Sequence, residues 1–177
     1  MTEFADPRRL HIRWMIRRDL PAVLAIERTT VAPWSEDDFL RCLRQRHCIG
    51  FVAERGDEIL GFMVYTLRPS HLQLENFAVR PDSRRLGVGS VLSQKLIARM
   101  KSNRRLWVSV VVREKNDAAV RFFRAMGFRA VGIAWARFDD TGEDGYRMEY
   151  RADPGAIDVA DADGFEAALS RGNGGVA

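Results

Sequence analysis

One short segment of the sequence combines glycines and arginines in a pattern that could bind phosphate: Arg84, Arg85, Leu86, Gly87, Val88, Gly89 and Ser90. Glycines let backbone N–H groups approach a phosphate closely, and the amino end of a following helix would add unpaired donors and a partial positive charge. Each arginine adds a planar guanidinium cation, which can donate two parallel hydrogen bonds to phosphate oxygens. The segment matches neither a Walker A loop nor a dinucleotide-binding fingerprint. It therefore predicts a phosphate loop of another kind or, alternatively, a tight turn between a strand and a helix.

The elements that must position this segment follow one another with short connections. Alternating apolar residues and turn residues predict strands at residues 11–16, 48–54, 59–67, 72–79, 106–112, 128–138 and 146–151. Helical spacing of apolar residues predicts helices at residues 19–28, 35–46, 89–101 and 116–126. The order β-α-α-β-β-β-α-β-α-β-β is typical of a mixed α/β domain with helices covering a sheet.

Composition bounds the organisation of the chain. Its 177 residues are 46% hydrophobic and 29% charged, which is ordinary for a globular domain. We expect one domain over residues 1–152 and a flexible acidic tail rich in Gly, Ala and Asp over residues 153–177. No stretch approaches the roughly 20 apolar residues that cross a membrane, and the first residues lack an apolar secretory signal.

The charge is distributed unevenly between these two parts. The tail has five acidic residues and one arginine, so of the total net charge of +4 residues 1–152 carry +8. A basic domain suits an anionic partner such as a phosphorylated cofactor, RNA or a ribosome, or is simply an arginine-rich solvated surface. No basic stripe interleaved with aromatic residues is present, so we expect no direct nucleic-acid binding.

The cysteines, Cys42 and Cys48, are the only two in the chain. Their spacing fits no common metal motif, so no metal cofactor is expected. Two thiols make a poor disulfide framework, and we interpret them as reduced residues in or near the core. A cytoplasmic location follows from that interpretation.

Two blocks of sequence give the phosphate-loop interpretation its context. The first is the stretch 76–89, NFAVRPDSRRLGVG, and the second contains Asn116, Ala118, Ala119, Phe122, Phe123 and the run Met126-Gly127-Phe128. Together they resemble the coenzyme A pyrophosphate loop and the asparagine helix of the GNAT superfamily of N-acetyltransferases. The resemblance covers about residues 11–152. It implies an acetyl-CoA-dependent N-acetyltransferase with a mixed, mostly antiparallel sheet of six or seven strands and about four flanking helices.

The resemblance also implies which residues bind acetyl-CoA. Main-chain groups of Phe77, Ala78 and Val79 would pair with the pantetheine arm, and a main-chain N–H near Val79 would stabilise the developing oxyanion. Residues 84–90 would hold the pyrophosphate, and Asn116 and Phe123 would contribute further contacts.

A third motif narrows the resemblance. Ala32-Pro33-Trp34-Ser35, followed by a predicted helix, is similar to the Phe-Pro-Trp-Ser segment of bacterial ribosomal-protein alanine N-acetyltransferases, the RimI-like group. That similarity implies that the acceptor is the N-terminal α-amine of a protein, with a ribosomal protein as the acceptor class. Trp34 and Phe138 would then line the acceptor pocket, although a core or lid position would equally explain Trp34.

The sequence departs from the RimI-like pattern where that group moves protons. Its glutamate and tyrosine positions correspond here to Val111 and Phe123, and neither side chain can carry a proton. Glu75, on the strand that would face the acetyl group, is a candidate substitute base acting through water. Alternatively, Glu75 points to solvent or pairs with an arginine.

Two other functions remain open at this stage. The enzyme could acetylate a small amine, such as a polyamine, an amino acid or an antibiotic, because Glu75, Asp139, Asp140, Glu143 and Asp144 could form an acidic pocket. The chain could also be an acyl-CoA-binding module without turnover, which the loss of both proton-handling residues would favour. The sequence is compatible with a monomer or a homodimer.

Overall fold

The computed structural model describes residues 9–138 and 140–152. These residues group into two compact units, one ending at Arg105 and the other beginning at Leu106. Along the chain the elements follow the order that the sequence predicts. None of the described helices is long and apolar enough to cross a membrane. The acidic tail and the first eight residues lie outside the described part of the chain.

The described residues of the first unit form four strands and three α-helices. The strands β1 (His11–Trp14), β2 (Cys48–Arg55), β3 (Glu58–Leu67) and β4 (His71–Val79) pair in this order, each antiparallel to the next. The helices are α1 (Leu20–Glu27), α2 (Glu36–Leu43) and α3 (Val88–Ser102).

The helices of this unit cover both faces of its strands. Phe62 on β3 is buried in one cluster with α1 and α2, where its ring lies 5.6 Å from that of Phe39. The neighbouring residue Gly61 faces α3: a Cβ atom there would lie 3.1 Å from Val88 and 3.3 Å from Leu92. Because adjacent residues of a strand point to opposite faces, α3 lies opposite α1 and α2, and Gly61 allows its first turn to approach the strands closely.

The second unit contains the strands β5 (Trp107–Arg113), β6 (Arg129–Phe138) and β7 (Glu143–Arg151) and the helix α4 (Asp117–Ala125). Strand β7 pairs antiparallel with both β5 and β6. The turn after α4 contains Gly127, whose φ of 89° favours glycine. The aromatic rings of Phe123, Phe128 and Tyr150 then pack α4 against β7.

The predicted fold class is confirmed: the described residues form a mixed α/β fold with seven mostly antiparallel strands and four α-helices. The differences lie at the ends of elements. Strand β1 stops at Trp14, because Ile16 donates its backbone N–H to Asp19 and starts the turn into α1. Strand β7 begins at Glu143, three residues before the predicted start, because its register pairs Glu143 with Phe138.

The cysteines differ from the expectation of two reduced thiols. The sulfur atoms of Cys42 and Cys48 are bonded to each other, and their Cα atoms lie 5.7 Å apart. The reason is local: α2 ends at Leu43, and the turn that follows is closed by hydrogen bonds from Gln45 to Cys42 and from Cys48 to Gln45. This turn brings the start of β2 back beside α2, a proximity that residue spacing alone does not reveal.

Candidate functional site

The glycine and arginine segment forms an exposed loop between β4 and α3. Its backbone takes the left-handed conformation twice, at Arg85 (φ 64°) and at Gly87 (φ 84°), the residue that precedes α3. Glycine adopts this conformation at no steric cost, whereas at Arg85 it stores about 1 kcal/mol or more. The strained arginine was not foreseeable from the sequence pattern. Strain at a non-glycine residue is a common feature of ligand-binding loops.

The loop places the amino end of α3 at an exposed turn. The residue before this 15-residue helix is Gly87, which has no side chain with which to cap the first N–H groups. Val88 is buried and anchors the helix start against Gly61, whereas Arg84 to Gly87 are exposed. The Nε of Arg84 donates to the carbonyl of Val79 at 3.2 Å, which holds this arginine beside the end of β4. A pyrophosphate group fits this set of donors.

Glu75 lies at an irregularity of β4. Val64 pairs with Asn76 and Tyr65 with Leu74, so Glu75 is the extra residue of a β-bulge. A bulge bends a strand and redirects its side chains, and bulges are common beside active sites. The Oε1 of Glu75 accepts a hydrogen bond from the Thr66 hydroxyl at 2.7 Å and lies 3.6 Å from the guanidinium of Arg68. The arginine pairing that the sequence left open is therefore present, and the role of Glu75 as a base stays a prediction.

Sequence reasoning missed Glu27, the last residue of α1. Its side chain is buried, with 1% of the residue exposed. Its Oε1 accepts the backbone N–H of Trp34 at 2.8 Å and the side-chain amide of Asn76 at 2.9 Å. Burial raises the pKa of this carboxyl, and the two hydrogen bonds offset part of that effect. The signal was available in the sequence, because Glu27 is a charged residue within the apolar stripe of α1.

Trp34 lies at the end of the loop between α1 and α2. Its half-buried ring packs edge-on against Phe39 at 5.2 Å. Ser35 caps α2 through reciprocal hydrogen bonds with Asp38. Trp34 therefore has packing contacts that suit a lid or core residue, and its contact with an acceptor stays a prediction.

In the second unit, Asn116 immediately precedes α4. Its side-chain oxygen accepts the backbone N–H of Ala119 at 3.1 Å and thereby caps the helix. The oxygen is used in this cap, so the side-chain NH2 group is the donor that Asn116 can offer to a ligand. The side chain is exposed.

The two positions at which the resemblance implies proton-transfer residues, Val111 and Phe123, carry apolar side chains. Phe123 is only 5% exposed and packs edge-on against Phe122 and Phe128, both at 5.1 Å between ring centres. Val111 lies on β5 and packs against β7. Phe123 is thus embedded in an aromatic cluster, and its contact with acetyl-CoA stays a prediction.

Phe138, at the end of β6, lies beneath a cation. The guanidinium of Arg113 is centred 4.0 Å from its ring. Arg113 also binds both carboxylate oxygens of Asp140, at 2.8 and 2.9 Å, and lies 3.4 Å from Glu143. Arg113 therefore joins the end of β6 to two acidic residues at the start of β7 and just before it. Among the described residues no group of His, Cys, Asp or Glu side chains could hold a metal ion.

Comparison with known proteins agrees with this geometry. Residues 11–128 match the acetyltransferase (GNAT) family. A ribosomal protein bS18-alanine N-acetyltransferase from Salmonella typhimurium is 30% identical over 116 residues, which cover 65% of this chain and 78% of that protein. The crystal structure of the ribosomal-protein-S18-alanine N-acetyltransferase from Escherichia coli superimposes with a TM-score of 0.73 at 26% identity, covering 81% of this chain and 94% of that one. A Bacillus anthracis acetyltransferase solved with acetyl coenzyme A shares the fold, with a TM-score of 0.70 at 18% identity over 84% of this chain and 100% of that one.

Proposed function

The chain belongs to the GNAT acetyltransferase family, and on that premise we propose that it transfers the acetyl group of acetyl-CoA to the N-terminal α-amine of a protein, with a ribosomal protein as the acceptor class. The observation that carries the choice of acceptor is the apolar character of Val111 and Phe123. An enzyme without strong proton-handling groups at these positions is best suited to an amine that is already partly neutral. The similarity to ribosomal protein bS18-alanine N-acetyltransferases supports the same class.

The chemistry explains this preference. The amine nitrogen attacks the thioester carbonyl, the carbon–sulfur bond breaks, the thiolate leaves and the amine loses a proton. A thiol has a pKa of about 8.5, so the thiolate can leave near neutral pH without a dedicated acid. An α-amine has a pKa of about 7.7–8.0, whereas that of lysine is about 10.4, so near pH 7.5 only the α-amine has a substantial neutral fraction.

The first unit contains the residues proposed to bind acetyl-CoA and to polarise its thioester carbonyl. The loop of residues 84–90 offers cations and helix N–H groups to the pyrophosphate. The main chain of Phe77, Ala78 and Val79, at the end of β4 beyond the bulge, would align the pantetheine arm. A backbone N–H near Val79 would stabilise the oxyanion, and Glu75 would accept the amine proton through water.

A small-amine acceptor is less well supported by the structure. Three acids that could have formed a cation pocket are already engaged: Asp140 and Glu143 bind Arg113, and Asp144 accepts the backbone N–H of Ala136 at 2.6 Å. Glu75 is held by Thr66 and lies near Arg68, and Asp139 lies outside the described residues. A polyamine would have to compete with these partners.

We also propose a cytoplasmic location. The proposed ribosomal acceptor requires it. The disulfide between Cys42 and Cys48 argues in the other direction, because disulfides persist mainly in oxidising compartments.

Mapping of acetylation by mass spectrometry tests the acceptor. The protein is incubated with acetyl-CoA and paired peptides of one sequence, one with a free N-terminus and one with a blocked N-terminus and an internal lysine. A reaction without protein corrects for spontaneous acylation. We expect acetylation of α-amines alone. Acetylation of lysines at a comparable rate would contradict the proposal. Binding of acetyl-CoA without transfer to any peptide would also contradict it, and would leave a small-amine acceptor or a module without turnover as the alternatives.

A further inference from the structure

The carboxyl group of Glu27 joins two segments that are far apart in the sequence. One oxygen, Oε1, receives both the backbone N–H of Trp34 in the α1–α2 loop and the side-chain amide of Asn76 on β4. Asn76 directly follows the bulge residue Glu75 and precedes Phe77. Glu27 therefore ties the loop that carries Trp34 to the part of β4 in which the proposed catalytic base and pantetheine contacts lie.

This attachment is unusual because the carboxyl group is buried and incompletely satisfied. The second oxygen, Oε2, is buried without a hydrogen-bond partner among the described residues, and so is the hydroxyl of Thr30 one turn later. Burying a carboxyl oxygen without a hydrogen bond lowers the stability of the fold. An apolar side chain at this position would avoid that cost. A residue retained under such a cost is a candidate for a function beyond stability.

The loop has few other means of being held in place. Beyond Glu27, the backbone N–H groups of Thr29 and Thr30 bond only back to the end of α1, and Val31 is 76% exposed. Ser35 is bonded forward to Asp38 of α2. Trp34 is thus held by the packing of its ring against the buried cluster that contains Phe39 and by the hydrogen bond from its backbone N–H to Glu27.

We propose that Glu27 is a positioning residue that fixes the Trp34 segment against β4 and thereby sets the affinity for the acceptor amine. The inference rests on the proposed function, because it treats Trp34 as a wall of the acceptor site. Glu27 acts through Oε1 as a hydrogen-bond acceptor, and this role does not require a negative charge. A neutral amide at this position can receive both hydrogen bonds, whereas a methyl group receives neither.

Three variants separate this role from proton transfer and from simple stability. In Glu27→Gln the Oε1 acceptor remains, and we expect the acceptor KM to stay within about threefold of wild type. In Glu27→Ala both hydrogen bonds are lost, and we expect the acceptor KM to rise about tenfold while the Kd of acetyl-CoA is unchanged. Asp19→Asn is the matched control: Asp19 is a buried carboxylate in the same unit, bound to Arg13 and Ile16, and its loss should lower the Tm without moving the acceptor KM.

Hydrogen–deuterium exchange over residues 28–38 gives a readout that does not depend on turnover. Exchange of this segment should increase in Glu27→Ala and stay near wild type in Glu27→Gln. If the wild type acetylates no α-amine, the proposed function fails, but the exchange measurement still decides whether Glu27 fixes the loop.

The proposal is overturned by any of three results. The first is a folded Glu27→Ala protein with unchanged acceptor KM and unchanged exchange. The second is a loss of kcat in Glu27→Gln equal to that in Glu27→Ala, which would make Glu27 a base. If Glu27→Ala does not fold, Asn76→Ala removes one donor from the strand side and should raise the acceptor KM less than tenfold but measurably. An unchanged acceptor KM in Asn76→Ala is the third result that would overturn the proposal.

Discussion

The Cγ1 atom of Val111 occupies the space that a side chain on Gly145 would need: a Cβ atom at Gly145 would lie 2.5 Å from it. The ring of Phe138 also borders this space, because its Cε2 atom lies 3.0 Å from the same Cβ position. Val111 is the position at which the resemblance to RimI-like acetyltransferases implies a glutamate. In this chain that position is a close aliphatic contact between β5 and β7.

We expect Gly145→Ala to destabilise the protein by about 2 kcal/mol, because the added methyl group must displace Val111 or Phe138. The second substitution Val111→Ala should recover part of that loss, since it removes the colliding atom. Unfolding in urea measures both effects. Gly132→Ala on β6 is the control, because a Cβ atom there meets nothing within 4 Å, and a loss as large as that of Gly145→Ala would refute the steric explanation.

Arg85→Ala tests the phosphate loop. Arginine and alanine carry similar backbone strain at this position, where φ is 64°. The substitution therefore removes the guanidinium and little else. We expect the Kd of acetyl-CoA to rise about tenfold, and the effect should shrink as salt screens the charge. Titration calorimetry at two ionic strengths measures this. Arg55→Ala, an exposed arginine at the β2–β3 turn, should leave the Kd unchanged; an equal loss in both variants would indicate only a general effect of net charge.

Glu75→Gln tests the proposed base through the pH dependence of kcat/KM. If Glu75 accepts the amine proton, kcat/KM should fall about 100-fold near pH 7. It should fall less near pH 9, where an α-amine is already neutral. The companion variant Arg68→Ala removes the neighbouring cation and keeps the carboxylate. A Glu75→Gln enzyme with full kcat/KM from about pH 6.5 to about pH 9 would remove Glu75 from the mechanism.

The two buried carboxyls of the first unit should give opposite dependences of stability on pH. Burial raises the pKa of Glu27 above its ordinary value of 4.5. For this group the unfolded chain ionises first, so the wild type should lose stability relative to Glu27→Gln as the pH rises above 4.5.

For Asp19, burial opposes ionisation, but hydrogen bonds from Arg13 and Ile16 bring its pKa below the ordinary 3.8. The advantage of the wild type over Asp19→Asn should therefore be present above pH 3.8 and be lost as the pH falls through the lowered pKa. Urea unfolding of the wild type and both variants across pH measures the two slopes. Parallel curves for the two variants would contradict the assignment.

The sequence by itself determined the order of the elements, the place of the glycine and arginine loop between β4 and α3, and the family. These features depend on local physics: apolar periodicity, the cap at Ser35, the left-handed glycine at Gly127 and the donors at the start of α3. Each involves residues within a few positions of one another, so one stretch of chain contains all of the information. The ends of β1 and β7 were less accurate, because they depend on partners in other segments.

Only the tertiary structure decided the burial of Glu27, the bulge at Glu75, the pairing of Arg113 with the β6–β7 turn and the bond between Cys42 and Cys48. Glu27 and Asn76 are 49 positions apart, and no local preference specifies that they meet. Their contact follows from the register of β4 and from the packing of α1 on the strands. Whether a carboxylate binds a substrate, a cation or a backbone N–H depends on such long-range geometry, so the residue type alone could name Glu75 as a candidate base and could not reveal Thr66 and Arg68 beside it.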